Sequence, residues 1–226
     1  FARNLAFGLV GGLMVLAGFS CTSATFGDHL PSVVVEGCAV FDSQAGKMLA
    51  GRTIIVRGER IAAVVSPGEK VTAAADAKRI DGRGRFAVPG LIDAHVHLVL
   101  ILNYAHVSGD EVLPLYLAAG VTSVRSTGDE IVAATLVARF AKAHPESSPR
   151  VFTCTPLLDS DPPMHGNAGR AVTDPARVPA LFDELLPWNI STVKIYAGIG
   201  REVGRAIIQE AHRRGLPVTA HLGAYA

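Results

Sequence analysis

Apolar positions follow different spacings along the chain. Between residues 33 and 65 they fall in short runs: Val33-Val34-Val35, Ala39-Val40-Phe41, Thr53-Ile54-Ile55-Val56 and Ile61-Ala62-Ala63-Val64-Val65. Turn clusters separate the runs at Asp42-Ser43-Gln44-Ala45-Gly46 and at Gly58-Glu59. Short runs of this kind, bounded by Gly and small polar residues, predict a β-meander. Residues 66–85 carry polar and turn residues and end in Asp81-Gly82-Arg83-Gly84-Arg85.

From Phe86 onward, strand-like runs alternate with helical spacing. Phe86-Ala87-Val88 leads into Pro89-Gly90-Leu91-Ile92-Asp93-Ala94-His95-Val96-His97. A helix is predicted over residues 110–119. Ser108 and Glu111 have capping-box spacing, Pro114 falls near the first turn, and Gly120 is a natural stop. Residues 121–125 predict a strand. Thr127 and Glu130 then form a second capping box, and Val132, Leu136 and Phe140 follow on one helical face. Residues 151–154 predict the next strand. Asp174-Pro175 starts a helix with Val178, Leu181, Phe182 and Leu185 on one side. A strand at 192–196, a helix lined by Val203, Ile207 and Ala211 that stops at Gly215, and a strand at 217–221 complete the series. Strands separated by helices predict an α/β fold of parallel βα units. A doubly wound sheet and a TIM barrel both fit this pattern. No G-x-G-x-x-G follows the first strand, so nothing favours a dinucleotide fold.

The first residues have another character. Leu5 to Ser20 are uncharged and mostly apolar or Gly, and Arg3 precedes them. This matches a secretory signal peptide. The run is slightly short of the ~20 residues of a membrane span, and Gly8, Gly11, Gly12 and Gly18 weaken it as a helix. Leu16-Ala17-Gly18-Phe19-Ser20-Cys21 loosely resembles a bacterial lipoprotein signal, with cleavage after Ala24 as the competing choice. Residues 1–24 are therefore read as a signal peptide or lipoprotein leader. The protein is expected to be exported, whether periplasmic, extracellular or anchored to a membrane as a lipoprotein. A retained membrane anchor is the alternative. Cys38 and Cys154 sit in apolar runs and read as buried free thiols, although export would permit a disulfide.

Composition narrows the classes. The 226 residues are 49% hydrophobic and 18% charged, which excludes a disordered chain. Lys and Arg number 21 against 20 Asp and Glu, for a net charge of +1. No basic block marks a nucleic-acid partner.

The polar residues inside strands carry the chemistry. His95 and His97 stand two apart, so a strand points both to one face, where two imidazoles can chelate one metal. A pair of half-exposed strand histidines fits the same spacing. Lys194 interrupts the apolar run Val193-Lys194-Ile195. Buried and unpaired, it would cost several kcal/mol. It either snorkels to water from a strand end or has reacted with carbon dioxide to form a carbamate, an anionic oxygen ligand. His221 ends its strand at the place that His97 and Lys194 occupy in theirs. In a barrel, strand C-termini converge on one site.

Together these motifs resemble the amidohydrolase superfamily. Val88-Pro89-Gly90-Leu91-Ile92-Asp93-Ala94-His95-Val96-His97-Leu98 is similar to its first barrel strand, and Arg57-Gly58-Glu59-Arg60-Ile61-Ala62-Ala63-Val64 to its small β-sandwich. Leu117-Ala118-Ala119-Gly120-Val121-Thr122-Ser123-Val124-Arg125 resembles the second strand region of the imidazolonepropionase-like branch. Val193-Lys194-Ile195-Tyr196-Ala197 resembles the fourth strand, and residues 210–221 resemble the fifth. The resemblance implies a (β/α)8 TIM barrel of which strands 1–5 are present, over 87–226, preceded by part of a β-sandwich over 31–86. It implies two divalent metal ions, usually zinc. His95 and His97 would hold one, His221 the other, and carboxylated Lys194 would bridge them. A metal-activated hydroxide would open non-aromatic C–N bonds in an amide, cyclic amide or dipeptide-like small molecule. The family's further His and its proton-shuttling Asp are expected beyond Ala226, because a barrel takes about 250 residues.

His165, in the loop after the third strand, and Tyr196, two after Lys194, are expected to touch substrate. Asp93 is expected to support the site rather than form it. His106 lies near the mouth, while His29, His144 and His212 read as surface residues. The rival reading is an inactive fragment or a membrane-anchored binding module. A homo-oligomer is left open.

Overall fold

The computed structural model describes residues 32–221, so residues 1–24, read above as a leader, and the last five residues lie outside it. The described residues fall into two compact units that divide between Ala87 and Val88. Among them, no helix is long and apolar enough to cross a membrane.

The first unit is a sheet built on β1 (Ser32–Asp42), β2 (Lys47–Arg57), β3 (Arg60–Val65), β4 (Lys78–Asp81) and β5 (Phe86–Ala87). The strand order is β3-β2-β1-β4, with β5 also paired to β1. Strands β1, β2 and β3 form the antiparallel meander. The Asp42 carboxylate accepts the Gln44 and Ala45 N–H groups at 3.0 Å, which closes the first turn. Val34, Cys38 and Ile55 are buried. Within the polar, turn-rich stretch at 66–85 lies a strand: β4 runs parallel to β1, with Val33 opposite Lys78. All four β4 residues are exposed, so no apolar pattern announces the strand. The described strands of this unit belong to one hydrogen-bonded sheet.

The second unit alternates strands and helices. In order they are β6 (Leu91–Val96), α1 (Ile101–Ala105), α2 (Gly109–Ala118), β7 (Val121–Ser126), α3 (Ile131–Ala143), β8 (Arg150–Thr153), β9 (Leu157–Asp159), β10 (Gly169–Ala171), α4 (Val178–Leu185), β11 (Val193–Ile195), α5 (Arg201–Arg213) and β12 (Val218–Ala220). Strands β6, β7 and β8 pair parallel in chain order. A parallel bridge from Cys154 to Thr192 carries the array to β11, and β12 pairs parallel beyond it. β9 continues the third strand past Cys154 and joins β11 and β10. The C-terminal ends of successive strands therefore lie side by side.

Helix α4 shows the predicted stripe at work. Val178, Leu181, Phe182 and Leu185 are all buried, with Val203, Ile207 and Ala211 of α5 in the same core. Burial of such side chains stabilises by about 1.5–3 kcal/mol each. The Asp174 side chain accepts the Ala176 N–H at 2.9 Å at the start of this segment. Helix α2 has its capping box, with the Ser108 N–H donated to Glu111 at 2.8 Å. Pro114 lies beyond the first turn of α2, in its interior.

Helix α3 corrects two expectations. Its N-cap is Glu130, which accepts the Val132 and Ala133 N–H groups, so Thr127 is not the cap. Thr127 instead donates its hydroxyl to the Arg125 carbonyl at 3.0 Å. The Val132, Leu136 and Phe140 stripe is exposed, and Ala134, Val137 and Ala141 face inward. Small Ala side chains let the helix approach the sheet closely, and that decides which side goes in.

Candidate active site

The six residues singled out in the sequence meet at one cavity. His95, His97, His165, Lys194, Tyr196 and His221 line a space of about 260 Å³ together with Leu100, Tyr104 and Leu157.

His95 and His97 straddle the end of β6, whose register against β7 shifts between Asp93 and Val96. The irregularity is held from two sides. Arg125 Nε donates to the Ala94 carbonyl at 2.8 Å, and the Asp93 carboxylate accepts the His95 N–H at 3.1 Å. Asp93 thus shapes the backbone that carries the histidines. The two rings stand edge to face, with centroids 5.3 Å apart. Burial lowers the His95 pKa, and electrostatic repulsion from Lys194, His97, His221 and Arg125 lowers it further. Burial also lowers that of His97, against the opposing pull of Asp129. Both imidazoles are held toward the neutral form, which is the form that binds metal.

Lys194 lies in the middle of β11 and is 1% exposed. Its backbone N–H donates to Thr155 Oγ1 at 2.9 Å. Its amine makes no hydrogen bond or ion pair with the described residues. Burial pushes its pKa down; Cys154 opposes this and Arg125 adds to it. The snorkelling alternative fails, because the side chain stays inside. Gly128 makes room beside it: a Cβ there would stand 2.8 Å from Leu157 Cγ and 3.2 Å from Lys194 Cγ.

His221 follows β12, and its N–H donates to the Ile195 carbonyl at 2.9 Å. Tyr196 packs between two imidazoles, 5.1 Å from His165 and 4.9 Å from His221 between ring centroids. Its hydroxyl lies 2.8 Å from His165 Nε2. The loop bearing His165 is anchored by the buried Asp159 carboxylate. This accepts the N–H groups of Ser160 at 2.9 Å, Met164 at 2.9 Å and Gly198 at 3.0 Å.

Among the described residues, no group of three or more His, Cys, Asp or Glu side chains could hold a metal ion. A metal set at this cavity has to include Lys194. A protonated amine is no ligand, but a carbamate is an anionic oxygen donor, and the amine here meets no anion among the described residues. The His97 Nδ1 is also buried without a hydrogen-bond partner. The donor set of His95, His97, His221 and a carboxylated Lys194 therefore fits divalent metal, with imidazole and oxygen ligands of the kind zinc accepts.

Sequence reasoning misses Asp129, Asp159, Arg125 and Tyr104. The first three act on backbone groups or through other side chains, which no spacing reveals. Asp129 leaves one signal, since it follows a strand C-terminus, where barrel sites gather their residues. His106 and His212 are exposed and outside the cavity. His144 is paired on the surface with Glu146, and His29 lies outside the described residues.

No model of a known protein family matches the chain. Adenine deaminase 3 of Rhizobium johnstonii is 28% identical over 203 residues, covering 85% of this chain and 32% of the relative. The adenine deaminase of Escherichia coli is 31% identical over 140 residues, covering 59% and 22% respectively. The chain thus spans about a third or less of the length of these curated relatives. Among solved structures, a putative prolidase from Bifidobacterium longum matches with a TM-score of 0.72 and 27% identity. The match covers 85% of this chain and 50% of that one.

Proposed function

The chain belongs to the amidohydrolase superfamily, and we propose that it carries the metal-binding part of a hydrolase acting on carbon–nitrogen bonds. The single observation that carries this reading is the convergence of His95, His97, Lys194 and His221 on one cavity, with Lys194 only 1% exposed and its amine without a hydrogen bond or ion pair among the described residues. The parallel strands in chain order fit the first five strands of a (β/α)8 barrel, whose site lies at the strand C-termini.

His95, His97, His221 and carboxylated Lys194 would hold two divalent ions, zinc by ligand type. Such ions supply an activated water and polarise the bond to be broken. The chain's own residues then do the rest. Neutral His95 and His97 present lone pairs on one face. Leu100 and Leu157 give the cavity an apolar wall. The His165–Tyr196 pair faces the same space and can donate a hydrogen bond to a substrate carbonyl.

The substrate class proposed is a dipeptide, an acylated amino acid or a small cyclic amide. The names of the relatives also favour a second substrate, the amino group of an adenine ring. Residues 1–24 are proposed to export the protein as a signal peptide or lipoprotein leader.

The test is hydrolysis by the full-length protein of a panel of dipeptides, N-acyl amino acids, cyclic amides and adenine. Activity on one class, abolished by a chelator and restored by zinc, is the expected result. Turnover that survives both chelation and Lys194→Met contradicts the reading.

A further inference from the structure

We propose that Asp129 is the positioning residue for His97, fixing its ring so that Nε2 is the nitrogen offered to a metal. This rests on the metal reading above and adds to it a specific tautomer and its cause. The Asp129 side chain is fully buried. Its Oδ2 accepts the Leu98 N–H at 3.0 Å, and its Oδ1 accepts the Leu100 N–H at 3.0 Å. The Ser126 hydroxyl also donates to Oδ2. The carboxylate therefore clamps the backbone that leaves His97 and ties it to the end of β7.

From that anchored position, Oδ1 lies 3.9 Å from His97 Nδ1. Nδ1 is itself buried and lacks a hydrogen-bond partner. A buried ring N–H without an acceptor is destabilising. A hydrogen bond from Nδ1 to this carboxylate would remove that cost. The Gly128 backbone is a competing hydrogen-bond partner for the ring, but a charged acceptor makes the stronger bond. The His97 side chain is 31% exposed although Nδ1 is buried, so the ring meets the cavity by its other edge. With the proton on Nδ1, the free lone pair sits on Nε2. Imidazole ligands are oriented in this way by carboxylates behind them, which also raises their basicity.

The experiment uses the full-length protein with isotopically labelled histidine, loaded with NMR-active cadmium. The expected spectrum shows coupling of the metal to His97 Nε2 and a proton retained on Nδ1. Coupling to Nδ1 overturns the proposal. Chelator competition on Asp129→Asn is the second measurement, and a loss of affinity of about 10- to 100-fold is expected. A variant that melts earlier but binds metal as tightly as the parent marks Asp129 as a structural clamp only, and also overturns the proposal. If Asp129→Asn does not fold, the spectrum of the parent protein decides alone. A parent that binds no cadmium refutes the metal reading itself, a result distinct from cadmium bound through Nδ1.

Discussion

The Tyr196 hydroxyl and His165 Nε2, on separate elements of the second unit, meet at 2.8 Å over the cavity. Phe at position 196 keeps the ring between His165 and His221 but removes this bond. Tyr196→Phe should therefore change stability by only about 1 kcal/mol, while kcat/KM falls roughly tenfold or more if the pair serves a reacting carbonyl. Thermal melting and steady-state kinetics check this. An unchanged kcat/KM would show that the pair does not touch substrate.

Lys194→Met separates a binding role from a stability role. Lys194 is 1% exposed and its amine has no partner among the described residues, so an apolar side chain of similar length removes a desolvation cost. The metal-free variant should be at least as stable as the parent in a denaturant titration. Metal content and hydrolysis should be lost. A metal-free variant destabilised by more than about 2 kcal/mol would mean that the amine has a stabilising partner.

Cys154 predicts an alkaline weakness. Burial pushes its thiol up from 9.0 to about 11. Because the folded pKa is raised, unfolded chains lose this proton first as the pH climbs. The contribution to stability is whole below pH 9, and it is lost as pH rises from about 9 to 11, amounting at most to roughly 3 kcal/mol. Stability measured across that range should fall less steeply in Cys154→Ala. Rapid alkylation of the native thiol near neutral pH would contradict the burial that this prediction requires.

Gly198 controls the His165 loop. A Cβ at this position would come within 2.6 Å of Asp159 Oδ1 and 2.9 Å of Ser160 Cβ, while the Gly198 N–H is bonded to that same carboxylate. Gly198→Ala should displace the loop, raise KM and cost on the order of 1–3 kcal/mol of stability. The variant's KM and melting temperature are the readouts, and parent-like values for both would refute the account of the anchor.

Much of this arrangement is legible in the amino-acid sequence. The His95–His97 spacing, the lysine inside an apolar strand and the strand-end His221 each need only a period of two and the position of strand ends. Buried stripes on α4 and α5 read correctly because large residues dominate them. Helix α3 misleads because its alanines, which carry little hydrophobic signal, take the inner face. Strand β4 leaves no pattern because its four residues are exposed and pair with β1 through the backbone. Asp129 and Asp159 escape because their partners include backbone N–H groups far away in the sequence.

Metal analysis of the full-length protein after saturation with zinc tests the central claim most directly. The account predicts two tightly held ions per chain and a clear loss in Lys194→Met, in a protein that still folds. A folded parent holding no zinc above background, or a Lys194→Met variant holding as much as the parent, would contradict it.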